Sequence, residues 1–163
     1  AKALADLIIE QQVSFKAAIT IKKRFSDLIS NLSNNEILEL KLEKLQSVGI
    51  SYRKAEYIRN VYTYFQESKY DFNSASNEDV ITELISIKGI GLWSAQMFLI
   101  FVLMRIDIFS PGDLALMNSL KINYKIDIKN KKTVESIVNK WSPYKSVASL
   151  LLWKSIEEKY YYS

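Results

Sequence analysis

The chain has 163 residues and a mass of 18.9 kDa, the size of one ordinary domain, and its 48% hydrophobic content supports a buried core while 4 Gly and 2 Pro leave little turn material for an all-β fold. It has no Cys and no His, which excludes disulfides, thiolate zinc sites, cysteine-held iron–sulfur clusters and histidine acid–base chemistry within these residues, so proton transfer falls to Asp, Glu, Lys or Tyr. The net charge of +4 is unevenly spread, with nine lysines against four acidic residues in 121–163, a surface that either faces phosphates or is simply solvated.

Ala3, Leu4, Leu7 and Ile8 recur at helical spacing and predict a first helix ending near Gln12. Ser14 is placed to cap a second helix that turns Phe15, Ala18 and Ile19 inward, and Phe25, Leu28 and Ile29 mark a separate short helical turn. A short helix from Asn34 to Leu40 and a connector over 45–50, containing Gly49, come next. Ser51 caps a long helix with the apolar face Ala55, Ile58, Tyr62 and Phe65, running to about Glu67. After a polar loop anchored by Phe72, a helix starting at Asn77 is expected to bury Val80, Ile81, Leu84 and Ile85. Lys88-Gly89-Ile90-Gly91 then separates it from a helix over 92–103. Phe109-Ser110-Pro111-Gly112-Asp113 is a loop ending in a cap, ahead of a short helix with Leu114, Met117 and Leu120. Residues 130–140 point Val134, Ile137 and Val138 inward, and Pro143 opens a last helix carrying Val147, Leu150, Leu151 and Ile156. The expected fold is therefore all-α: one compact multi-helix domain over 1–163, of about eight to ten helices, with a helix-hairpin-helix at about 80–103 and no internal repeat. The longest apolar run, 97–104, is too short to span a membrane. No signal peptide is visible, and the start at Ala1, without Met and inside a helical pattern, suggests a trimmed N-terminus.

The most informative segment is Leu84-Ile85-Ser86-Ile87-Lys88-Gly89-Ile90-Gly91-Leu92-Trp93-Ser94-Ala95. A helix ends, a Gly-x-Gly turn follows, and a helix begins whose first N–H groups can hold a phosphate. Taken alone, the turn is equally an ordinary αα-hairpin. Three further segments accompany it: Ile8-Ile9-Glu10-Gln11-Gln12-Val13-Ser14, Asp107 through Leu116 with its Ser110-Pro111-Gly112-Asp113 turn, and Trp141-Ser142-Pro143-Tyr144-Lys145-Ser146 followed by Trp153. In order and spacing these four resemble the helix-hairpin-helix DNA glycosylases, alkylpurine branch.

That resemblance implies a monofunctional glycosylase that flips alkylated purines of the 3-methyladenine and 7-methylguanine type out of duplex DNA and cleaves the N-glycosidic bond with water. It implies that Asp113 is the catalytic carboxylate, stabilising positive charge on the sugar in the transition state and orienting the water. Read from the residues alone, Asp113 is equally an N-cap, and Asp107 is a competing carboxylate better suited to a structural bond. In branches that form a Schiff base, a lysine stands two residues after the second glycine; here that residue is Trp93, so no lyase activity is expected. Trp93, Met97, Trp141 and Tyr144 are the candidate base pocket, with Trp153 assigned to the core; core packing is the plain alternative for Trp93 and Met97 too. Gln12 is the candidate plug for the space left by the flipped base, with Gln11 bonded within the protein. Gly89, Gly91 and Ser94, with Ser51 and Lys54 of a Gly-x-Ser-x-x-Lys segment, are candidate DNA-backbone contacts. The carbonyls of Ile85, Ile87 and Ile90 would hold a structural Na+ or K+; no cofactor is otherwise required. The expected partner is double-stranded DNA, bound by a monomer, with no membrane, in the nucleoid of a prokaryote or the nucleus of a eukaryote. The competing functions are a glycosylase for another damaged or mismatched base and a non-catalytic DNA-binding module.

Overall fold

The computed structural model describes residues 1–161, apart from the side chains of Phe15 and of 157–161. Among the described residues there are ten α-helices, one 3-10 turn and no strand: α1 Lys2–Glu10, α2 Phe15–Ile29, α3 Asn34–Glu39, α4 Leu42–Gln46, α5 Tyr52–Glu67, α6 Asn77–Ser86, α7 Leu92–Phe101, α8 Leu114–Tyr124, α9 Lys131–Val138, the 3-10 turn Asn139–Trp141, and α10 Lys145–Tyr161. Six starts are written locally: Ser14, Ser33, Ser51, Ser76, Asp113 and Asn130 each accept, on the side chain, the N–H three residues on. This satisfies a donor that a helix end leaves without an intrahelical partner. At Ser33 the bond is reciprocal, because the Glu36 carboxylate accepts from the Ser33 N–H.

Six details depart from the expected elements and their buried faces. Residues 15–29 form one helix rather than a helix and a separate turn, because neither Gly nor Pro interrupts them and Ala18, Phe25 and Ile29 share a buried face. Ile19 lies off that face and is exposed, and Ile85 likewise lies off the buried stripe of Val80, Leu84 and Ile87. Residues 42–46 form the short helix α4, which was not expected and takes in the first two residues of the expected connector 45–50; its buried Leu45 docks it. The last helix starts at Lys145, so Pro143 precedes it by two residues, and α7 ends at Phe101 rather than near Leu103.

The helices form two compact units, Ala1–Phe98 and Leu99 onward. In the first, α5 is the central element: α1, α3 and α4 pack on it, and α2 packs on α1. Leu4, Ile8, Ile9, Phe25, Leu45, Ile58 and Val61 are buried there. In the second, α8 packs against α10 around Leu116, Leu120, Val134, Val138 and Leu152. The register of these two helices is pinned by the buried Ser119 hydroxyl, which donates to the Leu152 carbonyl at 2.6 Å. No described helix is long and apolar enough to cross a membrane.

Candidate nucleic-acid interface and carboxylate loop

The hairpin joins α6 to α7 through Ile87, Lys88, Gly89, Ile90 and Gly91. Its two glycines are present for different reasons. Gly89 has φ +112, a left-handed conformation, and a Cβ there would lie 2.4 Å from the Tyr57 ring; the turn and its packing both demand glycine. Gly91 has an ordinary φ, and a Cβ on it would meet nothing within 4 Å. Nothing inside the unit requires glycine at 91, whereas an external backbone approaching the start of α7 would. The Gly91 carbonyl accepts from the Ala95 N–H, so the turn ends directly on the helix N-terminus.

Side chains from other elements grip the turn by its carbonyls. Asn60 donates to the Lys88 carbonyl at 3.1 Å. The Gln11 amide donates to the Gly89 carbonyl at 3.5 Å and to the Ser94 hydroxyl at 3.3 Å. Ser94 is buried, so its hydroxyl serves the protein interior at this point. Ser51 caps α5 by accepting from the Lys54 N–H. The Lys54 ammonium folds back onto the end of α1, donating to the carbonyls of Ile9 at 2.9 Å and Gln11 at 2.6 Å, and partial burial lowers its pKa. Gln12 follows with φ +55 and is exposed. Trp93 is partly buried on the first turn of α7, and Met97, one turn on, is buried at 3% exposure.

The second unit carries the carboxylates. Asp113 is the N-cap of α8: its Oδ1 accepts the Leu116 N–H at 2.7 Å and the Trp153 indole N–H at 3.0 Å. Its own N–H donates to the carbonyl of the buried Ser110 at 3.2 Å. Two donors on one oxygen fix the rotamer of the carboxylate. Trp153 packs on the α8–α10 core, as expected, and lies 5.6 Å from the Phe101 ring. Its bond to Asp113 has no sequence signal, because 40 residues separate the partners.

Asp107 accepts from the Ser142 hydroxyl at 2.6 Å and from the Lys145 N–H at 3.2 Å, with the Lys145 ammonium 3.8 Å away. The Ser142 bond above all, with the Lys145 contacts, holds its carboxyl below the usual range. It thus joins the loop to the start of α10. The buried Ser146 makes the same junction, donating to the Arg105 carbonyl at 2.6 Å and accepting from the Ile108 N–H at 3.0 Å. Trp141 packs on the core of this unit with Phe109 and Tyr124 each 5.9 Å away, and Tyr144 is exposed. A cavity of about 500 Å³ has Phe109, Pro111, Gly112, Met117 and Val134 on its walls; neither Asp113, Trp141 nor Tyr144 lines it. Among the described residues no group of three or more Asp or Glu side chains could hold a metal ion.

Residues 5–143 match the family model of the HhH-GPD superfamily base excision DNA repair proteins. A Bacillus subtilis (strain 168) protein, YfjP, is 34% identical over 162 residues, 92% of this chain and 56% of its own length. The Saccharomyces cerevisiae DNA-3-methyladenine glycosylase is 32% identical, across 93% of this chain and 64% of its own. The Schizosaccharomyces pombe 3-methyladenine DNA glycosylase Mag1, solved in complex with abasic DNA, superposes with a TM-score of 0.83 at 30% identity, covering 96% of this chain and 80% of that one. The chain thus spans between half and two thirds of the length of the first two relatives. With the glycine hairpin, the capped Asp113 and the family match over 5–143 in agreement, the chain belongs to the HhH-GPD superfamily of base excision DNA repair proteins, on its 3-methyladenine-glycosylase branch.

Proposed function

We propose that this chain is a monofunctional DNA glycosylase that flips alkylated purines, of the 3-methyladenine and 7-methylguanine type, out of duplex DNA and removes them with water. The observation that carries the proposal is the fixed carboxylate of Asp113, held on one oxygen by the Leu116 N–H and the Trp153 indole. Cleaving an N-glycosidic bond develops positive charge on the deoxyribose, and a negative group already in place stabilises that state without reorganising. The same carboxylate orients or deprotonates the attacking water. An alkylated purine is cationic and departs readily, so the lack of His is no obstacle.

Trp93 stands where Schiff-base-forming branches place lysine, which supports hydrolysis over lyase chemistry. Trp93 and Met97 in the first unit, and Trp141 and Tyr144 in the second, are the residues proposed to contact the flipped base, with Gln12 as the plug for the space it leaves. Gly89, Gly91 and the start of α7 hold DNA backbone without reading its sequence. The protein acts as a monomer. The carbonyls of Ile85, Ile87 and Ile90 would hold a Na+ or K+ ion: Ile85 lies in the last turn of α6, where carbonyls lack intrahelical donors and the helix dipole favours a cation, while the Ile87 carbonyl also accepts the Ile90 N–H. When bound, the ion adds positive charge beside the hairpin's phosphate.

Single-turnover excision of 7-methylguanine from a short duplex tests this. Asp113→Asn keeps the size and much of the cap, removes the charge, and is expected to slow excision by about 10²–10³-fold, with damaged-DNA binding retained. Near wild-type excision by this variant at saturating enzyme would overturn the proposal. Borohydride is expected to trap no protein–DNA adduct; a lysine adduct would overturn the monofunctional assignment.

A further inference from the structure

The turn that presents Gln12 and the turn that contains Gly89 are joined through one residue. The Gln11 side chain reaches across to the hairpin, donating to Ser94 Oγ at 3.3 Å and to the Gly89 carbonyl at 3.5 Å. Its main chain is held from the other side, where the Lys54 ammonium donates to the Gln11 carbonyl at 2.6 Å. Lys54 projects from α5 and also clamps the Ile9 carbonyl at 2.9 Å. Gln12, the next residue, sits at φ +55, a left-handed backbone state that is unfavourable for a non-glycine residue and persists only where the surroundings impose it. Gln11 supplies those surroundings at both of its ends.

Gln12 is exposed, and the Gly89-Gly91 turn is the part of this unit suited to DNA backbone. A plug must meet the duplex at one depth and one angle, and that position is useful only relative to where the phosphates are held. We infer that Gln11 is a positioning residue for base extrusion: it ties the plug turn to the phosphate-holding hairpin, so that seating the hairpin on the backbone sets where Gln12 enters the stack. Gln11 touches no nucleotide in this scheme and acts through Gln12. The inference rests on the plug role proposed for Gln12.

A purely structural amide and a positioning amide differ in how they respond to base pairing. Extruding a well-paired nucleotide depends on the plug, whereas an unpaired one leaves the stack at lower cost. The test uses single-turnover excision of 7-methylguanine from two duplexes, one with cytosine opposite the lesion and one with an abasic analogue opposite it. Gln11→Leu keeps the volume and removes both donors. It is expected to slow the paired duplex roughly tenfold and the unpaired one less than about twofold, with binding to undamaged duplex and its salt dependence unchanged. Added to Gln12→Ala, it is expected to bring no further loss, because both variants disable one device. Equal slowing of the two duplexes, or full additivity with Gln12→Ala, would overturn the inference. If Gln12→Ala itself shows no dependence on pairing, the plug assignment fails and this role fails with it. If Gln12→Ala shows that dependence and Gln11→Leu does not, only the positioning role is lost. Should Gln11→Leu fail to fold, Lys54→Met releases the same turn from its carbonyl side and must show the same pairing-dependent loss.

Discussion

The hairpin turn and the Asp107–Asp113 loop are braced in opposite senses. In the hairpin, and in the Gln11-Gln12 turn joined to it, the gripping atoms are side chains and the gripped atoms are backbone: Asn60 and Gln11 hold the carbonyls of Lys88 and Gly89 in the hairpin, and Lys54 holds the carbonyls of Ile9 and Gln11 at the end of α1. In the loop a backbone N–H and an indole hold the Asp113 carboxylate, and a hydroxyl and a backbone N–H hold that of Asp107. Each arrangement suits the role proposed for it. A surface for the sugar–phosphate chain needs main-chain atoms in fixed places, whereas charge stabilisation needs one side chain in one rotamer. The two carboxylates of the loop divide further. Asp107 is spent on the start of α10, and Asp113 is placed by α8 and α10 together.

Substitutions can break or sharpen this contrast. The largest effect is expected at Gly89, where alanine meets both a left-handed backbone and the Tyr57 ring. Gly89→Ala is expected to lose about 3 kcal/mol or more in urea unfolding; a loss near zero would mean that the turn is not braced from within. Trp153→Phe keeps the ring beside Phe101 but removes the indole donor to Asp113. A hydrogen bond to a charged group is at stake, so a stability loss of about 2 kcal/mol is expected, together with slower excision and unchanged binding of undamaged duplex. Unaltered excision would show that the carboxylate does not depend on α10.

Ser142→Ala removes the 2.6 Å bond to Asp107 and is expected to cost about 0.5–1 kcal/mol at neutral pH, the worth of an ordinary hydrogen bond reduced by solvent screening. A carboxyl whose pKa is lowered by folding stabilises the fold above its unfolded pKa and loses that contribution as pH falls through the folded value. The gap between wild type and Ser142→Ala in pH-resolved unfolding should therefore close below about pH 4. A gap that persists in acid would assign the bond's value to the hydroxyl rather than to the charge. The smallest stability effect is expected at Gly91, where a Cβ has open space. Gly91→Ala should change unfolding by less than about 0.5 kcal/mol, yet weaken binding to all duplexes alike. If it destabilised the fold as Gly89→Ala does, the assignment of the two glycines to different partners would collapse.

Much of the local structure is legible residue by residue. Ser14, Ser51 and Asp113 announce their helices, because a cap is a contact over three positions and needs no tertiary information. The hairpin and the two carboxylates are legible for the same reason: glycine pairs and capping residues act within a few positions. What stays hidden is every bond that selects between roles. The chain places Trp153 in the core without showing that its indole reaches Asp113, and it separates Gln11 from Gly89 by 78 positions. Ile19 and Ile85 fit helical periodicity, yet which side of a helix is buried depends on the neighbour it meets, and both ended exposed.

By itself the sequence determined an all-helical chain, the starts of its capped helices, the hairpin, and the family to which the four motifs belong, because propensity, capping and turn chemistry are short-range. Only the tertiary structure decided that Asp107 serves the start of α10 while the indole of Trp153 secures Asp113, that Gly89 answers to Tyr57 while Gly91 answers to nothing inside its unit, and that Gln11 links the Gln12 turn to the hairpin. The physical reason is common to all three. A hydrogen bond or a steric contact at about 3 Å is fixed by how helices distant in sequence pack, and that packing is settled by the whole buried core rather than by the residues that make the contact.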